Sequence, residues 1–124
     1  MALIRTGGGV AILQIPKGKY IDGGTGGVLD EKSYTSGTAI TWGSSLGVMY
    51  AISPNTSSTT IQVTLGGGQY ANVSGYKNGV LVDTTNPQTP STVTTLNKTF
   101  TGCDLIIFFT SGTATTGSLT ITDN

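Results

Sequence analysis

The chain has 124 residues, among them 23 Thr, 19 Gly and 11 Ser, with six basic and six acidic residues, one Cys and no His. That length fits a single domain over residues 1–124, whose core needs no metal or disulfide to hold it. The balanced, scattered charge excludes the basic face that nucleic acid or an anionic membrane requires, and the missing His removes the side chain most used for proton transfer near neutral pH.

Apolar residues recur with a period of two, or continuously over short runs, and no segment shows a helical repeat. Val10 to Ile15 is apolar on both faces, as a central buried strand is, and Pro16 stops it. Lys19-Tyr20-Ile21 resumes after the turn, and Asp22 to Gly27 reads as a glycine loop. Thr38, Ile40 and Trp42 then alternate toward one face. After Gly43-Ser44-Ser45, a second apolar face is formed by Leu46, Val48, Tyr50 and Ile52, and Ser53-Pro54-Asn55 ends it. Ile61, Val63 and Leu65 point one way while Thr60, Gln62 and Thr64 point the other, the pattern of a half-exposed strand.

Gly66-Gly67-Gly68 leads into a strand from Gln69 to Tyr76. Asn78-Gly79 is the strongest local signal, since this dipeptide suits the type I′ turn of a two-residue hairpin. It joins that strand to Val80-Leu81-Val82. A polar loop follows over Asn86 to Pro90, and Thr92 to Phe100, Cys103 to Phe109 and Ser118 to Thr122 supply three more strands. About nine or ten short strands at roughly ten-residue spacing predict an all-β, antiparallel sandwich or barrel. No longer internal repeat is present, which excludes a solenoid.

Chemistry is sparse by comparison. Gly24-Thr25-Gly26-Gly27-Val28-Leu29 lacks the last glycine of a dinucleotide fingerprint, and no helix follows to hold a phosphate. The acids are Asp22, Asp30, Glu31, Asp83, Asp104 and Asp123. Asp22 with Asp30 or Glu31 would have to converge across the glycine loop to cleave a glycoside or bind calcium, and solvated loop carboxylates are the simpler reading. A nucleophilic Ser has no His and no Ser-x-x-Lys to activate it. Cys103 is expected to be a small buried hydrophobe. Sequons at Asn55, Asn72 and Asn97 match chance in so hydroxyl-rich a chain. We therefore expect no catalytic residue, metal or cofactor. Of the aromatics Tyr34, Trp42, Tyr50, Tyr70 and Tyr76, the candidates for stacking on a glycan are Tyr70, Tyr76 and Trp42, although Trp42 and Tyr50 alternate in register with core residues.

The opening Met1-Ala2-Leu3-Ile4-Arg5-Thr6-Gly7-Gly8-Gly9 and the closing Leu105 to Thr122 resemble small structural proteins of tailed bacteriophages. The resemblance implies a jelly-roll β-sandwich on the capsid, as a decoration or head-fibre subunit, or on the tail. It implies virion proteins as partners and a virion location after synthesis in the host cytoplasm. It carries over no functional residue. No signal peptide is recognisable, because the apolar stretch before the first glycines is too short. Low charge also leaves few residues to protect strand edges, which favours a homo-oligomer or particle-bound protein. A glycan- or receptor-binding module at a tail or head-fibre tip is the alternative.

Overall fold

The computed structural model describes residues 2–5, 12–23, 30–43, 48–65, 71–85, 95–110 and 116–124. Twelve strands occur among them: β1 (Ala2–Arg5), β2 (Ile12–Ile15), β3 (Lys19–Asp22), β4 (Asp30–Ser33), β5 (Ala39–Gly43), β6 (Met49–Ser53), β7 (Ser58–Leu65), β8 (Ala71–Lys77), β9 (Val80–Thr84), β10 (Thr95–Thr101), β11 (Leu105–Thr110) and β12 (Thr116–Asp123). Ten form two packed sheets, in the orders β10-β7-β12-β5 and β4-β3-β6-β11-β8-β9, and β1 pairs with β2 as a separate ribbon. Every pairing is antiparallel.

The topology follows from one long ribbon folded at its middle. Asn78 (φ 51°) and Gly79 (φ 80°) both take positive φ, as a type I′ turn demands, and Lys77 pairs with Val80 across them. Moving outward from this tip, β8 pairs with β9, β7 with β10, β6 with β11 and β5 with β12. Rolling the ribbon up adds the lateral pairs β8–β11 and β7–β12, so from β5 to β12 consecutive strands alternate between the two sheets except at the tip, where β8 and β9 share one. This is the eight-stranded jelly roll. The β3–β4 hairpin widens one sheet beside β6.

The core lies between the sheets. Tyr20, Tyr50, Ile52, Val73, Ile106 and Phe108 come from the six-stranded sheet, and Ile61, Val63, Leu65, Phe100, Leu119 and Ile121 from the other. Each such side chain removed from water contributes about 1.5–3 kcal/mol before conformational entropy is counted. Leu105 to Phe109 is apolar on both faces because β11 lies inside its sheet, with Ile106 and Phe108 in the core. On the outer side, Leu105 and Ile107 join a second cluster with Ile15, Ile21, Ala51 and Tyr76.

Three elements differ from the sequence expectation, the first being β1, which is not expected as a strand. Val10 and Ala11 lie outside the described residues, and the remainder of that run, β2, is not a central strand. Among the described residues it pairs only with β1, and it brings Ile15, fully buried, against the outer cluster of the six-stranded sheet. The fully exposed strand β4, Asp-Glu-Lys-Ser, has no apolar period to reveal it. It forms because an edge strand needs only one partner, here β3, and charges on such an edge discourage further pairing.

Candidate functional site

The two described aromatic candidates, Trp42 and Tyr76, do not share a surface. Trp42 stands on the inner side of β5, half-buried, with its ring edge-on to Tyr50 (centroids 6.2 Å apart) and tilted on Phe108 (5.6 Å). Gly117 is opposite it in β12, and a Cβ there would lie 2.5 Å from Trp42 Cζ2, so the glycine makes room for the indole. Tyr76 packs against the outer cluster of the six-stranded sheet. Tyr70 lies outside the described residues. Tyr34 and Tyr50 are buried, and desolvation pushes both hydroxyls above the ordinary tyrosine range. The Tyr34 hydroxyl serves the fold: it donates to Asp123 Oδ1 (2.8 Å) and accepts the Asn55 N–H (2.8 Å), tying the segment after β4 to β12 and the β6–β7 turn.

The aspartates are likewise occupied by structure. Asp22 and Asp30 are cross-strand partners, and Lys32 Nζ lies 3.4 Å from the first and 3.8 Å from the second. The ammonium group is placed between the carboxylates that hydrolysis or calcium binding would use. Asp83 pairs with Lys98 at 2.9 Å, joining the β9 edge to β10 of the facing sheet, and this bond holds the Asp83 carboxyl below the usual range. Asp104 Oδ2 accepts the Asn78 N–H (3.1 Å) and so caps the I′ turn. No three His, Cys, Asp or Glu side chains converge among the described residues.

Cys103 is buried at the edge of a cavity of about 170 Å³ that also touches Lys17, Lys77 and Asp104. Burial, and then the negative charge of Asp104 and Asp83, push its thiol above the ordinary range. A nucleophilic cysteine needs the opposite shift.

One surface has a uniform chemistry: the outer face of the four-stranded sheet. Register sets its side chains in ranks across the strands. Thr99, Thr60 and Thr122 make one rank; Asn97, Gln62, Thr120 and Ala39 the next; Thr95, Thr64, Ser118 and Thr41 the third. Strands repeat about every 4.8 Å and ranks about every 6.8 Å. None of these residues is charged or aromatic. A shallow depression of about 290 Å³ lies over the middle of the array, bordered by Gln62, Asn97, Ser118 and Thr120. Neutral donors and acceptors at this density can hydrogen-bond hydroxyls, but they cannot hold a charge or move a proton at neutral pH. Sequence reasoning recognised the polar side of β7 alone, because the neighbours of Gln62 come from β10 and β12.

Comparison with protein-family profiles, curated proteins and solved structures finds no match to the chain.

Proposed function

We propose that this chain is a non-enzymatic structural protein of a bacteriophage virion, a capsid decoration or auxiliary protein that packs on the particle together with further copies of itself. The observation that carries the reading is the rolled eight-stranded ribbon, an architecture used by viral capsid domains and by lectins. Architecture alone does not assign a function. Support comes from the side chains: the described aspartates brace turns, edges and strand ends, and the thiol is buried and hard to ionise. A particle component needs a stable, chemically quiet body of this kind. The likeness of the chain's two ends to tailed-phage structural proteins supplies the particle. The test is mass spectrometry of density-purified particles from the source strain. The chain should be present at a fixed ratio to the major capsid or tail protein, and its absence from particles would refute the reading.

A second reading, a glycan-binding module on the same kind of particle, is favoured by the neutral array around Gln62 and Asn97. Glycan-array binding that disappears in Gln62→Ala and Asn97→Ala proteins of unchanged stability would select it. Trp42→Ala is a poor test, because its ring packs on Tyr50 and Phe108.

A further inference from the structure

Four large apolar residues are exposed among the described residues, and three are consecutive: Val80 (67% exposed), Leu81 (52%) and Val82 (50%), all in β9. A strand packed on one side hides every second residue, and this one hides none of the three. The reason is its place at the edge of the six-stranded sheet, where the register slips between Gly75 and Tyr76. Leu81 pairs with Tyr76 and Asp83 with Gly75, which leaves Val82 as the extra residue of a bulge. The apolar surface continues inward, since Tyr76 packs on the cluster that includes Leu105 and Ile107.

The opposite edge of the same sheet is treated differently. There β4 presents Asp30, Glu31 and Lys32, charges that discourage another strand or surface from docking. One edge is guarded, and the other carries three uncovered aliphatic side chains.

We propose that the β9 edge is a self-association surface, on which two copies meet β9 to β9 across a two-fold axis and cover Val80, Leu81 and Val82 of each. The strip's one acid, Asp83, is already paired with Lys98 of its own chain, so a second copy of β9 brings apolar side chains and no charge in need of a new partner. Docking β9 on β4 would press Asp30, Glu31 and Lys32 against aliphatic residues and strip their water without replacing it. Such a head-to-tail contact would build a ring or an open filament, whereas the two-fold contact closes at two copies. The bulge interrupts a regular ladder, so side chains rather than a continuous extended sheet make the contact.

Five residues of strand span about 17 Å, and a standard interface buries about 800 Å² per partner. A contact confined to this one strand is small against that standard, which makes it a weak dimer of the kind that many copies held on one lattice reinforce. For its biological purpose the inference rests on the particle-component reading; its geometry does not.

Sedimentation velocity of the full chain across the micromolar to submillimolar range tests it. The wild-type protein should shift from monomer to dimer. Leu81→Lys should weaken that association at least tenfold with the melting temperature unchanged, while Thr99→Lys, on the outer face of the other sheet, should leave it intact. A wild-type chain that stays monomeric, or a Leu81→Lys protein that dimerises equally well, overturns the proposal. A monomeric chain still found in particles would leave the particle reading standing. A Leu81-dependent dimer absent from particles would uphold the interface and remove that reading.

Discussion

Gly75 is the position where adding one methyl group should have the largest consequence. It is buried on the inner side of β8, opposite Ile106 of β11. A Cβ there would lie 2.5 Å from Cys103 Sγ and 2.6 Å from Phe100 Cδ1. Comfortable carbon contacts are about 3.5–4.0 Å, so each approach is about 1 Å too close. Phe100, 1% exposed, has nowhere to turn, so the overlap with its ring stays whether or not the Cys103 thiol turns toward the cavity it borders. Overpacking of this kind costs about 1–3 kcal/mol, and two simultaneous overlaps place Gly75→Ala at about 3 kcal/mol. For a domain of this size that lowers the melting temperature by about 10 °C. Gly79→Ala is the control. Nothing lies within 4 Å of its Cβ, and only the positive φ of 80° opposes it, at about 1–2 kcal/mol. Urea unfolding followed by fluorescence of Trp42, the single tryptophan, measures both. The decisive result is a double-mutant cycle with Cys103→Ala, which removes one overlap. Gly75→Ala should be less harmful in that background by about 1 kcal/mol or more. Strict additivity would refute the steric reasoning.

Other outcomes follow from buried polar groups and from the turn. Ser53 is fully buried, and its hydroxyl has no hydrogen-bond partner among the described residues; Ser53→Ala should therefore raise stability by about 1 kcal/mol, and a loss in urea unfolding would contradict this. The Tyr20, Tyr34 and Tyr50 hydroxyls are all pushed above the ordinary tyrosine value, chiefly by burial. Their protonated forms favour the fold fully below pH about 10; above it the unfolded chain releases these protons first, so stability should fall as pH rises toward the folded values. Melting temperatures that stay level through that range would count against it.

Much of this architecture was legible because much of it is local. Asn78-Gly79 specifies its own turn, and the alternation in β7 separates Ile61, Val63 and Leu65 from Thr60, Gln62 and Thr64 whatever lies beside them. The strand β4 was illegible because a charged edge carries no apolar period. The Tyr34–Asp123 bond joins residues far apart in the chain, and no motif announces it. Trp42 and Tyr76 were credible glycan contacts as residue types, but pairing register sends one to the inter-sheet core and the other to the outer cluster. Val80-Leu81-Val82 was legible as a strand. Its exposure depends on the edge position of β9 and on the bulge, which are properties of the assembled sheet.

The ribbon also implies an order of assembly. With the Asn78-Gly79 tip in place, Phe100 of β10 is led toward Thr59 of β7, then Ile106 of β11 toward Ile52 of β6, and last Leu119 of β12 toward Ile40 of β5. Each rung shortens the loop that the next must close, so pairings distant in sequence form at the entropic cost of near ones. Like a zip, the molecule is slow to start and quick to run. Folding kinetics should show it: substitutions at the tip should slow folding, and Leu119→Ala should instead speed unfolding. The reverse pattern would mean that the sheets collapse first and the ribbon is only a description of the finished fold.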